Sequence, residues 1–289
     1  VDSAIVDSDP TVGDLVGGLL GASLASPNAV RLGRRMAALY ATWQRGGLPD
    51  LAAVATAMLQ HNGIAADGPV ARTCVAAARA VAAWGGLPYH SAAHHAEVTT
   101  NAMVLVELAR RRGETIDCHA TALLLAACLS HDIYYSPPVA RVRFAAEHAS
   151  AEALDAIAAD CGCDAGDRQA MRALVIATEP LLRLRPGGPL GAPLEPRAAR
   201  LLGRASVEPM IAALATLLSD ADMLSSVGLT VAWYRVQEAR LEREAGRPAE
   251  PGDGERFFSD IVGPDFLSDA GRLFSANLAA IRQAACQPT

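Results

Sequence analysis

Three short segments carry residue types that can hold a divalent cation: Tyr89-His90-Ser91-Ala92-Ala93-His94, the adjacent pair His131-Asp132, and Asp220-Ala221-Asp222. Imidazole nitrogens and carboxylate oxygens are the ordinary ligands of such ions. His90 and His94 stand four residues apart, so a helix would present both on one face. An adjacent His-Asp pair at the end of an apolar helix is costly to bury unless imidazole and carboxylate are both satisfied, and a metal ion satisfies both at once. The interval from His94 to His131 is long enough for the rest of one helix, a turn and an antiparallel return, which would set the two ligand groups side by side. A bound cation there would lower the pKa of a water and stabilise negative charge on a neighbouring oxygen.

The elements that must position these residues read as helices throughout. Ser26-Pro27 predicts a helix start, after which Leu32, Met36, Leu39, Tyr40 and Trp43 recur at helical spacing until Gly46-Gly47. Further helices are expected over 49–60, 69–84 and 91–112. Asp117 predicts the cap of a very apolar helix from Cys118 to about Ser130, buried on nearly all sides, which delivers His131 and Asp132. Others are expected over 143–160, over 165–178 with Asp164 as cap, and over 208–219, 229–245 and 268–285. Residues 179–195, rich in Pro and Gly, read as a loop. No period-2 strands or internal repeats appear, so the fold class is all-α. The organisation expected is an N-terminal helical segment, 1–84, packed on a domain at 85–289.

Composition removes several chemistries. All 25 cationic residues are arginine, which rules out a Schiff-base lysine, a pyridoxal phosphate anchor and a phosphate loop ending in Lys-Ser/Thr. A net charge of −6 with no basic stripe argues against stable nucleic-acid binding. The six cysteines form no CxxC pair, which suits a reducing compartment, and Cys161-Gly162-Cys163 reads as an incidental helix-end turn. The apolar start at 11–25 is preceded by Asp2, Asp7 and Asp9 rather than by positive charge, and no uninterrupted run is long enough to span a bilayer. The expectation is a cytoplasmic protein without a membrane partner; homo-oligomerisation is left open.

These motifs resemble the HD superfamily of metal-dependent phosphohydrolases, whose pattern is a His, a His-Asp pair and a distant Asp. Tyr89 to His94 is similar to the Tyr-His-Asn-x-x-His segment of its cyclic-nucleotide phosphodiesterase branch, with Ser91 in place of the asparagine. A group of predicted bacterial HD phosphohydrolases is more similar still. Its His-Asp followed by Tyr, its Glu-x-x-Ser-Ala and its late Asp-x-Asp before Leu-Gly or Val-Gly resemble His131-Asp132-Ile133-Tyr134, Glu147 to Ala151, and Asp220 to Gly228. The resemblance spans 89–228 and implies an HD-type helical bundle with extra N- and C-terminal helices.

It also implies roles. His94, His131, Asp132 and Asp222 would bind metal, with Asp220 as the alternative to Asp222 and His95, by a one-residue shift, as the alternative to His94. The ion or ions would be Mn, Mg, Fe, Co or Zn, which the sequence does not distinguish. His90 would protonate the leaving oxygen, Asp132 would hold the ions and orient the nucleophile, and Glu147 would position water. The substrate would be a small phosphorylated molecule, a nucleotide among the candidates. Two other readings compete: a two-iron HD oxygenase, which would recruit His148, and a metal-stabilised sensing or binding module without turnover. The related bacterial group often has a Thr followed shortly by a histidine after the Glu motif, whereas Thr178 precedes Glu179 and Pro180. Arg183, Arg185, Arg197, Arg200 and Arg204 flank the Pro/Gly-rich stretch as candidate anion contacts, against the alternative of a solvated loop. His61, His119, Arg240 and Glu242 read as structural.

Overall fold

The structure is a computed structural model that describes Gly18 and residues 28–47, 50–136 and 142–286. Every regular element among the described residues is helical. The expected Ser26-Pro27 start and the apolar stretch at 11–25, Gly18 apart, lie outside the described residues, as does Pro49.

Helix α1 (Ala29–Gly46) begins at Asn28, whose side chain accepts from the Arg31 amide, and buries Leu32, Met36, Leu39, Tyr40 and Trp43. Helix α2 (Leu51–His61) is capped by Asp50, and α3 (Pro69–Trp84) starts on proline, where the missing N–H is no loss. Helices α4 (Ala92–Arg111) and α5 (Cys118–Cys128) are buried along almost their whole length, and Asp117 caps α5 by accepting from Ala120 N at 2.7 Å. Next come α6 (Ala145–Asp160) and α7 (Ala165–Ile176), the latter capped by Asp164. Helix α10 (Pro209–Val227) packs along α4, and both pack on α5. Helix α11 (Val231–Ala245), capped by Thr230, returns along α10. One apolar core runs from Leu32 to Ile281.

The structure departs from the sequence reading in four places. The 179–195 stretch holds a short helix, α8 (Pro180–Arg183), and another, α9 (Pro196–Leu202), follows it, both started by proline. Helix α10 continues two turns past Ser219, because Leu224 and Val227 keep an apolar face buried. The C-terminal helix expected from Ser268 is a 3-10 turn at Gly271–Phe274 followed by α13 (Ser275–Ala285), preceded by α12 (Asp253–Phe257) and a π turn at Phe258–Val262. Finally, α10 is long and apolar enough, by length and composition alone, to cross a membrane, although 67% of that stretch is buried inside the bundle.

Buried polar contacts fix the register of the helices that carry the motifs. Asn101 on α4 accepts from Tyr40 Oη at 2.6 Å and donates to Ala221 O at 2.8 Å and Ser225 Oγ at 2.9 Å, so one amide ties α1, α4 and α10 together. Glu97, also on α4, accepts from Arg240 Nη1 at 2.9 Å and Gln237 Nε2 at 2.6 Å of α11. All these side chains are buried, so the contacts specify alignment more than they add net stability.

Candidate metal centre

His94 lies in the first turn of α4, His131 and Asp132 in the turn that ends α5, and Asp222 near the end of α10. The two histidine Nε2 atoms face each other at 3.2 Å. Asp132 Oδ2 is 3.1 Å from His131 Nε2 and 3.6 Å from His94 Nε2, and Asp222 Oδ1 is 3.3 Å from His94 Nε2. Ligand atoms of His94, His131 and Asp222 all fall within 4.8 Å of one another, a spacing that one cation could span. Both histidines are 1% exposed, whereas the Asp132 and Asp222 side chains are 14% and 17% exposed, so solvent reaches the group from the carboxylate side.

The donor set suits a cation. His131 Nδ1–H donates to Cys128 O at 3.0 Å, which leaves the Nε2 lone pair pointing into the group. His94 Nδ1 has no such partner. Burial opposes charge on His94, yet hydrogen bonds to Asp132 and Asp222 outweigh it and push the imidazole up to about 10. His131 is raised in the same way against its burial, and Asp132 is held well below the usual carboxylate range despite its burial because His131 and His94 lie beside it. The two carboxylates thus demand positive charge between them, which imidazolium protons supply in the metal-free protein and a divalent ion would supply by displacing them.

The alternatives left open by the sequence lie in different surroundings. Asp220, two residues before Asp222, points the other way round the helix. It is fully buried and accepts from Arg183 Nη1 at 2.9 Å, Leu267 N at 2.9 Å, Ser268 N at 2.7 Å and Ser268 Oγ at 2.7 Å. His95 lies outside the ligand group, with Nδ1 3.4 Å from Cys128 O, and burial followed by the neighbouring His131 and His94 keeps it neutral. Arg183 is not available to an anionic substrate: it is 2% exposed and spends its guanidinium on Asp220, Ser219 Oγ and the carbonyls of Val262 and Asp265. The other arginines of that stretch do not converge either, since Arg185 reaches Pro193 O, Arg197 lies over the Phe144 ring and Arg204 binds Gln169.

His90 stands at the open side, its Nε2 3.8 Å from Asp132 Oδ2. Its other nitrogen, Nδ1–H, donates to Glu244 Oε1 at 2.5 Å, while Glu244 Oε2 accepts the backbone N–H groups of Tyr89 and His90 at 2.9 and 3.0 Å. Burial alone would raise the Glu244 carboxyl, but these hydrogen bonds and the His90 ring hold it low. Tyr135 stacks on the imidazole with ring centroids 3.6 Å apart. Tyr89 packs on His94 and reaches Ser226 Oγ at 2.6 Å. The backbone reaches this segment through Gly86, at φ +70°, where a Cβ would collide with Ser91 Cα and His90 O. Glu244 and Tyr135 belong to no motif of the sequence; Glu244 lies far along the chain, and only the fold pairs it with His90. Glu244→Gln is expected to slow turnover roughly 10- to 100-fold with bound metal unchanged, checked by steady-state kinetics alongside metal analysis.

No protein-family model matches the chain, and no curated protein matches it. Among solved structures, one described as LmjPDEB1 in complex with IBMX matches over 99% of this chain and 94% of that one, at 15% identity and a TM-score of 0.48.

Glu147 sits in the first turn of α6, and burial, then the nearby Glu179 and Asp132, push its carboxyl up to about 7. Ser150, one turn on, donates to Ile133 O at 3.0 Å and so pins the turn that carries His131 and Asp132. His148 turns outward toward Glu152 at 3.8 Å and does not join the ligand group. His119 likewise pairs with Asp167 at 2.8 Å on the surface, and His61 is exposed. A carboxyl raised on folding binds more protons in the native than in the unfolded state, so in the metal-free protein the stability that Glu147 contributes is lost as pH rises from about 4.5 to about 7. Glu147→Gln is expected to flatten that slope, removing a difference of at most about 3 kcal/mol, as read by urea unfolding across the pH range.

A cavity of about 180 Å³ is lined by Ser226, the hydrogen-bond partner of Tyr89, and by Gln237, Leu241, Ala245 and Phe257 among others. None of the metal-group residues borders it.

Proposed function

We propose that this chain is a metal-dependent phosphohydrolase that cleaves a phosphate ester of a small molecule, a nucleotide among the candidates. The observation that carries the reading is the convergence of His94, His131, Asp132 and Asp222 beside a histidine whose orientation a buried-side carboxylate already fixes. His94, His131 and Asp222 would hold the cation, and Asp132 would complete or bridge its ligand set. A divalent ion bound there lowers the pKa of water and draws charge from phosphoryl oxygens. Water would add to phosphorus, releasing one proton to solvent, as the ester P–O bond breaks; His90 would give an Nε2 proton to the departing oxygen, while Glu244 keeps the ring aligned. Glu147 would order water in the reaction.

The oxygenase reading would need a further histidine, and His148 faces Glu152 instead. A non-catalytic module would show metal-dependent stabilisation with no dependence on His90. The test is a phosphate-release screen over nucleotides and sugar phosphates with Mn, Mg, Co or Fe added, together with metal analysis of the purified protein. Metal-dependent release that vanishes in His90→Ala while metal remains supports the hydrolase. Metal bound without release from any compound refutes it.

A further inference from the structure

The chain segments that carry His90 and Asp132 also carry two aromatic rings that the reaction itself does not require. Tyr134, two residues after Asp132, is 54% exposed, which is unusual for a tyrosine this close to a buried cluster. Its backbone adopts φ +62°, a region that bulky L-residues rarely enter. Sterically a glycine or asparagine would suit that turn better, so the strain is tolerated with the ring held out in solvent. The Trp84 ring meets it edge to face, with centroids 6.3 Å apart at 82°. Trp84 is the last residue of α3, and the chain runs from it through Gly85 and Gly86 directly to Tyr89-His90. The two rings therefore grow from the two chain segments that carry His90 and Asp132, and they touch each other.

We infer that Tyr134 and Trp84 form a stacking platform for a planar aromatic ring borne by the phosphate ester, and so set the substrate's organic class. The inference rests on the phosphohydrolase reading for its reaction but not for its binding. A flat ring laid on an exposed tyrosine gains dispersion and excludes water without needing hydrogen bonds, so the platform accepts a nucleobase or a simple aryl group alike. Its phosphate would then lie toward Asp132 and His90. Arginine side chains are not required for this selection, consistent with the failure of Arg183 to reach the site.

The experiment compares adenosine monophosphate, phenyl phosphate and ribose 5-phosphate as probes with manganese-loaded wild-type protein, Tyr134→Gly and Tyr134→Phe. Glycine suits the positive φ, so Tyr134→Gly keeps its fold, which circular dichroism verifies. Two readouts are taken: kcat and KM for phosphate release, and quenching of the fluorescence of Trp84, the half-buried member of the three tryptophans. The expected result is a rise in KM of about ten- to a hundredfold for the two ring-bearing probes in Tyr134→Gly, little change for ribose 5-phosphate, and wild-type behaviour in Tyr134→Phe. Preference for adenosine monophosphate over phenyl phosphate would identify a nucleobase, and equal use a generic aryl group; both support the platform. Quenching by ring-bearing probes that disappears in Tyr134→Gly, with no phosphate released from any of them, would keep the platform and overturn the hydrolase. Equal handling of all three probes by the wild type, or an unchanged preference in Tyr134→Gly, would overturn the platform.

Discussion

Asp222→Asn is expected to yield a folded protein that binds its divalent metal at least roughly tenfold more weakly and turns over its substrate about a thousandfold more slowly. The reason is geometric. Asp222 is the only one of the two late acids that faces His94 and His131, and the amide that replaces it keeps size and polarity but removes the negative charge that draws a cation between the imidazoles. Because the side chain is partly open to solvent and makes no buried backbone bond, the helix around it should be undisturbed. Equilibrium dialysis against manganese with the phosphate-release assay checks the result. Unchanged metal affinity would sink the ligand assignment.

Asp220→Ala should behave in the opposite way, destabilising the fold by about 3–5 kcal/mol, a large share of the stability of any ordinary domain. Removal of this carboxylate strands the buried Arg183 guanidinium and leaves the Leu267 and Ser268 amides without their acceptor. The double variant Asp220→Ala/Arg183→Met should recover part of the loss, since the uncompensated charge is then gone. Urea unfolding of the metal-free proteins measures both, and a loss under about 1 kcal/mol in the single variant would contradict the buried-pair account. The two substitutions, two residues apart, therefore distinguish a ligand from a structural clamp.

The all-helical fold was legible because its signals are local. Asp117, Asp164 and Pro69 announce helix starts by side-chain capping or by a missing N–H, and apolar periodicity supplies the rest. The short helices α8 and α9 escaped because four to seven residues within a Pro/Gly-rich stretch give no period to read. His94, His131 and Asp132, expected from type and spacing to be ligands, are brought together by the fold. The choice between Asp220 and Asp222 turned on which side of α10 faces α4, a matter of tertiary register that Asn101 fixes through Ala221 and Ser225. The pairings of Glu244 with His90 and of Arg183 with Asp220 were beyond sequence reasoning for the same cause: the partners lie far apart along the chain, and both kinds of residue are abundant on ordinary surfaces.

The histidine that would donate the proton hangs from α11 through Glu244, whereas the four metal-facing side chains belong to α4, α10 and the turn after α5. Two load paths thus converge on one cleft. Helix α11 is joined to α4 through Glu97, Gln237 and Arg240, and residues 246–251 just beyond it are exposed. Fraying of its C-terminal turn would release Glu244 first, letting the His90 ring swing while the cation stays seated. On gentle heating, catalytic power should therefore fade while the protein still retains its metal.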